Sequence, residues 1–282
     1  QNYGSFIGGS IKKQFETKTL LEKRVSKKVF SFENGMFSLI NALHHKVGKE
    51  NFVFNAKNIQ VKADNNIFIT TFVDENGEEF NVKSAKVIST VGAYALKDIF
   101  SFIENEKLNI INNLLYTQVW EVSLGFKKWE GMKLDGFGGL IPSKEKRDIL
   151  GILFMSSLFK NRSPKDGALV TIFMGGARRP DIAEMNESEI KTIVERECKD
   201  LLSIPDFNPD LFKVIKHNKA IPQYGIDSGQ RFGVIYEIEK KYKGLIIGGN
   251  LRNGIGMADR IQQGKALSQD ITFRTVPPIL VL

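Results

Sequence analysis

GLIIGGNLRNGIGMADRIQQG, residues 244–264, joins an apolar run to an amphipathic segment through a glycine-rich loop. The apolar run predicts a strand over residues 244–247, and the apolar spacing after Gly256 predicts a helix over residues 257–270. A loop between a strand and a helix directs backbone N–H groups and the positive end of the helix towards an anion. The stretch therefore predicts an α/β fold with a ligand site at this loop. The alternative is a tight turn that binds nothing.

The loop is not a complete dinucleotide-binding fingerprint. Gly254 and Gly256 supply two of the glycines, but Asp259 stands where the third is needed. The residues that follow Gly256 are too few for the βαβαβ unit that such a site requires. The loop is therefore expected to complete a site that other segments build.

Composition excludes several classes of protein. The 282 residues are 42% hydrophobic and 26% charged, which is typical of a folded globular protein rather than a disordered or collagen-like one. The single cysteine, Cys198, rules out an internal disulfide framework, and with only three histidines a His/Cys zinc site is not expected. No apolar run approaches the roughly 20 residues of a membrane-spanning helix. The resulting expectation is a cytoplasmic protein.

The net charge of +8 indicates an anionic partner, which could be nucleic acid, an anionic membrane surface or an acidic small molecule. The densest basic stretches fall within residues 12–28 and lack the concentrated patch with aromatics that a nucleic-acid site requires. We therefore expect no nucleic-acid partner. Leu20, Leu21 and Val25 recur among these lysines, so a face that touches a membrane surface stands beside the alternative of a solvated helix face.

Periodicity predicts an α/β segment followed by a mainly antiparallel sheet. Asn186 and Glu189 stand at capping-box spacing before a helix that places Cys198 on its apolar face, and Asn76-Gly77 marks a hairpin. The predicted helices cover residues 34–48, 187–202, 233–241 and 257–270. The predicted strands cover residues 51–55, 59–62, 66–73, 78–82, 86–91, 119–126, 149–155, 168–174 and 244–247.

Several further motifs share one resemblance with the glycine loop. They are GSFIGGSIKK (4–13), FSFENGMFSLINAL (30–43), LDGFGGLIPSKE (134–145), ILGILFMSSLFKNRSP (149–164), FMGGARRPDI (173–182) and AIPQYGI (220–226). In content, order and spacing the set resembles the FAD-dependent protoporphyrinogen oxidases, a family within the flavin amine oxidase superfamily. The resemblance covers nearly the whole chain, which makes it far more specific than a single glycine loop.

The resemblance implies an α/β (α+β) fold like that of p-hydroxybenzoate hydroxylase, in which a Rossmann-like FAD domain is interleaved with an antiparallel-sheet substrate domain. Residues 1–30 would end a helical, membrane-associating domain. Residues 31–110 and 226–271 would belong to the FAD domain, and residues 111–225 would form the substrate domain. Residues 272–282 would be a tail of unclear status.

The resemblance also implies an activity, which is the oxidation of protoporphyrinogen IX by FAD and O2, with a peripheral membrane contact and a homodimer as further expectations. It implies no metal ligand and no catalytic side chain, because the flavin carries the chemistry. Asn250 would lie by the ribityl chain, and the N–H groups of Gly256 and Met257 would face the flavin pyrimidine edge. The implied flavin-contacting residues are Gly249, Asn250, Gly254, Ile255, Gly256 and Met257. The implied substrate-pocket residues are Leu134, Phe137, Leu150 and Phe159.

One departure from the family pattern limits these expectations. The family's N-terminal GxGxxG segment has no counterpart here, so the chain is expected to be a C-terminal piece of a longer protein and to bind FAD weakly or not at all by itself. Three alternatives stay open at this point. They are oxidation of coproporphyrinogen III, another oxidoreductase of the superfamily, and a basic binding module that is not an enzyme.

Overall fold

The computed structural model describes residues 29–270 and the pair 280–281. Two compact units divide the chain between Ile40 and Asn41. In the first unit, the described residues include a turn in which the Gly35 N–H donates to the Phe32 carbonyl over 2.9 Å. The second unit holds the sheets and two hydrophobic cores. The predicted basic face within residues 12–28 and most of the tail at residues 272–282 lie outside the described residues, and the predicted division into domains stays a prediction.

The described segments alternate between helices and strands. The helices are α1 (Phe37–Val47), α2 (Leu96–Ile99), α3 (Asn105–Asn112), α4 (Met155–Leu158), α5 (Pro180–Ala183), α6 (Glu187–Leu202), α7 (Ser228–Lys241) and α8 (Met257–Asp270). The strands are β1 (Phe52–Val53), β2 (Lys57–Asp64), β3 (Ile67–Val73), β4 (Glu79–Ser84), β5 (Val87–Ser89), β6 (Tyr116–Phe126), β7 (Gly138–Leu140), β8 (Ile149–Leu153), β9 (Ala168–Gly175), β10 (Leu211–Pro222), β11 (Leu245–Ile247) and β12 (Leu280–Val281).

A five-stranded antiparallel sheet has the order β10-β6-β9-β8-β7. Its strands alternate between two faces. One face packs against α6, where Val122 and Ile172 of the sheet share a core with Val194 of the helix. We call the other face of this sheet the open face. The prediction of a mainly antiparallel sheet in this part of the chain is confirmed.

Helix α6 begins and ends at the predicted residues, because its capping box forms as the sequence indicates. The Asn186 side-chain oxygen accepts from the N–H groups of Ser188 (2.9 Å) and Glu189 (3.1 Å), and the Glu189 carboxylate accepts from the Asn186 N–H (2.8 Å). Cys198 is fully buried, and burial raises the pKa of its thiol to about 12. The predicted core position of this cysteine is therefore confirmed.

Strands β5 and β11 pair in parallel, and β2, β3 and β4 form a separate antiparallel sheet. Side chains from β3, α2, α3, α7 and β11 share the second core. Strand β1 pairs in parallel with β12. Within residues 29–270, none of the helices combines the length and apolarity needed to cross a bilayer.

Several sequence-based boundaries need correction. Helix α1 begins at Phe37 rather than near Asn34, and its apolar side chains Leu43 and Val47 are 52% and 43% exposed. Helix α7 begins at Ser228, five residues before the predicted start at Gly233. Strand β10 and helix α3 were not predicted. Both depend on distant partners, β6 and α7 respectively.

Candidate functional site

The carboxyl ends of β5 and β11 meet at the glycine loop. Because the strands are parallel, these ends lie at the same edge, where ligands of open α/β sheets bind. The Gly248 N–H donates to the Ser89 carbonyl over 2.8 Å and so extends the pairing beyond β11. Gly249 has a φ of +86°, and a Cβ there would lie 2.7 Å from the Thr90 carbonyl oxygen. Only glycine allows the loop to leave the sheet in this way.

Arg260 of α8 holds the loop from the helix side. Its guanidinium donates to the carbonyls of Arg252 (3.0 Å), Asn253 (2.9 Å) and Gly254 (2.8 Å), and also to the carbonyl of Gly249. One planar guanidinium therefore donates to four carbonyls of the loop. This role could not be predicted from the sequence, because an arginine near the start of a helix usually faces solvent.

Two further side chains fix the strand before the loop. Gln263 accepts from the Gly249 N–H through its side-chain oxygen over 2.8 Å. Glu239 of α7 accepts from the Ile247 N–H over 2.8 Å and pairs with the Arg252 guanidinium at 2.5 and 3.1 Å. These contacts anchor the loop to both flanking helices.

Two tyrosines tie the loop to the segments around it. The Tyr116 hydroxyl accepts from the buried Ala93 N–H (3.0 Å) and donates to the side-chain oxygen of Asn250 (3.1 Å). The Tyr224 hydroxyl lies 2.7 Å from the Asn250 carbonyl and 3.2 Å from the Gly254 carbonyl. Burial raises the pKa of both hydroxyls, so both stay protonated and able to donate at neutral pH. Asn250 is thus oriented by contacts that the sequence did not reveal.

The start of α8 carries its own cap. The Gly256 N–H donates to the Asp259 carboxylate over 2.9 Å, so the acid in the place of a third fingerprint glycine caps the helix. A Cβ on Gly256 would meet the Asp259 side chain at 3.2 Å. Ile255 and Met257 are each nearly half exposed beside it. The predicted approach of Gly256 and Met257 to a flavin stays a prediction.

The four predicted substrate-pocket residues lie around the five-stranded sheet in different settings. Leu134 packs against the core shared with α6. Phe137 is 56% exposed, and its carbonyl accepts from the Phe154 N–H. Leu150 reaches the end of β9, where a Cβ on Gly176 would touch it at 3.4 Å. Phe159 lies beneath the Arg162 guanidinium, 5.9 Å from ring centroid to Cζ.

Two surface clefts lie elsewhere and are lined by other residues. One of about 460 Å³ lies between β2 and α2, and one of about 280 Å³ lies between the glycine loop and α8. The pocket at Leu134, Phe137, Leu150 and Phe159 therefore stays a prediction.

Arg178 and Arg179 are adjacent in the FMGGARRPDI motif. Arg179 bridges Asp181 and Asp148, and these hydrogen bonds raise the pKa of its guanidinium above the ordinary value. Arg196 of α6 also pairs with Asp148. Arg179 thus belongs to an ion-pair network that joins α5 and α6 to the start of β8.

An acid–base pair on the open face was missed by sequence reasoning. His217 Nε2 of β10 lies 3.0 Å from Glu121 Oε2 of β6, and the two side chains are 43% and 31% exposed. The residues are 96 positions apart and meet only because β10 pairs with β6. A prediction of β10 with its register would have been the only signal for this pair.

Comparisons with known proteins identify the family. The model of the flavin containing amine oxidoreductases matches residues 4–232. The chain belongs to that family. The family is one of flavin-containing enzymes, so FAD is the cofactor that the comparisons support. The prediction of an FAD-dependent oxidoreductase is thereby confirmed at the level of the family.

Named relatives of the chain act on porphyrinogens. The chain is 29% identical to the mitochondrial protoporphyrinogen oxidase of Nicotiana tabacum, over 95% of this chain and 56% of that protein. It is 26% identical to the coproporphyrinogen III oxidase of Bacillus subtilis, over 57% of this chain and 34% of that protein. The chain therefore spans about half the length of the curated relatives that align with nearly all of it.

A solved structure shows the fold. The chain superposes on a putative protoporphyrinogen oxidase from Exiguobacterium sp. 255-15 with a TM-score of 0.74 and 15% identity, over 96% of this chain and 56% of that one. The predicted flavoprotein fold is therefore confirmed.

The residues at the loop fit a flavin. Gly248 and Gly249 are buried and leave no side chain at the strand ends, and the buried Ser89 Oγ has no hydrogen-bond partner within the described part of the chain. The helix start at Gly256 and Met257 is exposed. This arrangement suits a neutral or anionic group that needs backbone donors and close approach.

Proposed function

We propose that this chain supplies the glycine-loop side of the flavin site and the substrate sheet of an enzyme that oxidises protoporphyrinogen IX to protoporphyrin IX with FAD and O2. The observation that carries the proposal is a hydrogen bond between Tyr116 and Asn250. Tyr116 is the first residue of strand β6 in the five-stranded sheet, and Asn250 lies in the glycine loop. The bond fixes a substrate sheet against the loop that suits a flavin. The similarity to named protoporphyrinogen oxidases supports the choice of substrate.

The chain's residues would divide the work between binding and orientation. Gly249, Asn250 and Gly254, held by Arg260 and the tyrosines, would shape the loop against the cofactor. Ile255, Gly256 and Met257 would line the exposed helix start, whose partial positive charge favours an electron-rich flavin. Bound FAD would accept a hydride equivalent from the substrate in each of three rounds and pass the electrons to O2. The sheet would orient the macrocycle and exclude water.

Coproporphyrinogen III is the second candidate substrate, because a named coproporphyrinogen III oxidase is also similar to part of the chain. Both substrates share the macrocycle and differ in the number of rim carboxylates. A peripheral membrane contact also stays a proposal. The exposed apolar side chains of residues 29–47, Phe30 and Phe37 among them, support it. A homodimer and a cytoplasmic location stay predictions.

The test uses the full-length protein that contains this chain. We expect purified protein to be yellow with bound FAD and to convert protoporphyrinogen IX to a fluorescent porphyrin while consuming O2. The same assay with coproporphyrinogen III ranks the two substrates by kcat/KM. A colourless protein would support the binding-module alternative. A yellow protein that oxidises neither porphyrinogen would leave the family assignment standing and overturn the proposed activity.

A further inference from the structure

The centre of the open face holds a carboxylate between apolar side chains. Glu121 of β6 is in register with Ile215 of β10 on one side and with Phe173 of β9 on the other. Phe173 is in register with Gly151, and Gly151 with Leu140 of β7. Register partners in an antiparallel sheet place their side chains on the same face. These five residues form one row across the sheet. Glu121 is its only charged member, since the others are apolar or, at Gly151, have no side chain.

This row lies on the face opposite α6. Trp120 and Val122, the neighbours of Glu121 along β6, both belong to the core shared with that helix, so Glu121 points the other way. The row is also accessible, since Ile215 is 38% and Leu140 84% exposed. Strands lie about 4.8 Å apart, so Ile215, Glu121 and Phe173 span roughly 10 Å. That span suits one tetrapyrrole macrocycle lying on the sheet.

His217 completes the arrangement. It is in register with Val119, two residues before Glu121 on the same face, and its Nε2 lies 3.0 Å from the Glu121 carboxylate. Only one Glu121 oxygen takes part in this contact, which leaves Oε1 able to accept another hydrogen bond. Lys213 is the next charged side chain on this face of β10. The pair therefore consists of an acceptor directed at the open face and an imidazole in contact with solvent.

A porphyrinogen matches this surface chemically. Its four pyrrole N–H donors lie on the inner side of an otherwise apolar, puckered macrocycle, and its carboxylates lie at the rim. We propose that Glu121, paired with His217, accepts the pyrrole protons that the substrate loses during oxidation. This inference rests on the proposed function, since the oxidant is the flavin. The family resemblance implied no catalytic side chain. The inference names one, Glu121, as the proton acceptor.

The step balances as follows in atoms and electrons. A C–H bond at a bridging carbon breaks, and its electron pair leaves with the hydride to the flavin. The N–H bond of the adjacent pyrrole breaks, and its electron pair enters the new conjugated C=N system. The released proton goes to Glu121 and then through His217 to water. Each round thus removes one hydride and one proton, and three rounds account for six electrons and six hydrogens. Because a porphyrin keeps two N–H groups and one hydrogen on each bridging carbon, one proton also moves from the fourth bridging carbon to a pyrrole nitrogen by tautomerisation.

Glu121→Gln separates proton transfer from binding. Glutamine keeps the length and one acceptor oxygen of glutamate but cannot take the proton. In the full-length flavoprotein, we expect kcat for protoporphyrinogen IX to fall by about 10²- to 10⁴-fold, the usual contribution of a general base. Flavin bleaching after anaerobic mixing with the porphyrinogen should slow by the same factor. The affinity for protoporphyrin IX, measured by fluorescence titration of flavin-free protein, should stay unchanged.

Two companion variants sharpen the result. Glu195→Gln makes the same chemical change on α6, where Glu195 pairs with Lys199, and should leave kcat unchanged. His217→Gln should lower kcat by less than Glu121→Gln, because solvent can replace the relay. An active wild type with an equally active Glu121→Gln would overturn this inference alone. A flavin-loaded wild type that does not oxidise the porphyrinogen would overturn the proposed function and this inference with it.

Discussion

The Tyr116 hydroxyl donates to the side-chain oxygen of Asn250 over 3.1 Å, although 134 positions separate the two residues in the chain. The same hydroxyl accepts from the Ala93 N–H, so one oxygen joins the sheet, the loop after β5 and the glycine loop. Tyr116, Ala93 and Leu251, the neighbour of Asn250, belong to the same hydrophobic core, so the bond forms within that core. It links the first residue of strand β6 in the five-stranded sheet to the glycine loop.

Tyr116→Phe should lower the free energy of unfolding by about 1–3 kcal/mol, because it leaves the buried Ala93 N–H without its acceptor. Urea denaturation of the purified protein measures this change. Tyr236→Phe is the control, since Tyr236 is 66% exposed and its variant should stay within about 0.5 kcal/mol of the wild type. Equal stability of both variants would show that the Tyr116 hydroxyl is not structurally important.

Gly249 and Gly256 should respond differently to alanine. Gly249→Ala places a Cβ 2.7 Å from the Thr90 carbonyl at a φ of +86°, so we expect about 1–3 kcal/mol of destabilisation. Gly256→Ala meets only the movable Asp259 side chain, so the melting temperature of flavin-free protein should change little. In the full-length protein, however, its flavin content should fall. A Gly256→Ala protein that retains stoichiometric flavin would show that Gly256 does not approach the cofactor.

Arg260→Met should loosen the glycine loop. The change removes the donors to the carbonyls of Arg252, Asn253 and Gly254. We expect a loss of about 1–3 kcal/mol in unfolding free energy and reduced flavin retention. Lys265→Met changes an exposed cation on the same helix and is the matched control. Flavin absorbance per protein chain measures flavin retention. Similar flavin content in Arg260→Met and Lys265→Met would contradict the prediction.

Acid should weaken the protein partly through Asp148. Burial raises the pKa of this carboxyl, but hydrogen bonds from Arg179 and Arg196 outweigh burial and lower it overall. A carboxyl with a lowered pKa in the folded state stabilises the fold above its unfolded pKa of about 3.9 and loses that contribution as the pH falls through the folded value. Asp148→Asn should therefore be less stable than the wild type at neutral pH and lose less stability on acidification below about pH 4.

Denaturant titrations at several pH values measure that difference. Asp135→Asn is the control, because Asp135 is 79% exposed and pairs with an exposed lysine, Lys133. The wild type and Asp135→Asn should show parallel stability curves. A curve for Asp148→Asn that is parallel to theirs would mean that the ion pairs with Arg179 and Arg196 do not persist in solution.

Local sequence signals predicted the parts of the fold that local interactions determine. Helix α6 matched its prediction because the capping box and the apolar period act within a few residues. The glycine loop was found because its glycines and the following helix are contiguous. Strand β10 was missed, since its exposed side chains, such as Lys216 and Asn218, give no clear alternation. Its strand conformation comes from pairing with β6.

The same limit applied to the candidate site. The loop glycines could be named from the sequence, but Arg260 and Tyr116, which hold the loop, could not, because their partners are backbone carbonyls or distant residues. Glu121 and His217 each look like an ordinary polar residue on a strand. Only the register of β10 against β6 brings them together.

Arg231 of α7 offers a final test of how buried charge is tolerated near the loop. Its side chain is 1% exposed, and its guanidinium Cζ lies 5.7 Å from the Tyr224 ring centroid and 5.4 Å from the Phe232 ring centroid. It donates to the Ser228 hydroxyl over 2.9 Å and pairs with the Asp227 carboxylate at 3.5 Å, while its Nε has no hydrogen-bond partner among the residues that the structure describes. Burying a charge with unsatisfied donors is costly, and an apolar side chain of similar length often replaces it without loss.

Arg231→Met should therefore leave the free energy of unfolding unchanged or raise it, whereas Arg231→Ala should lower it by about 2–4 kcal/mol through the cavity that it creates. Urea denaturation of both variants distinguishes packing from charge, since methionine keeps most of the packed volume and alanine does not. If Arg231→Met is as unstable as Arg231→Ala, the positive charge itself stabilises this region. That result would assign the stabilisation to the ion pair with Asp227, whose carboxylate lies 3.5 Å from the guanidinium.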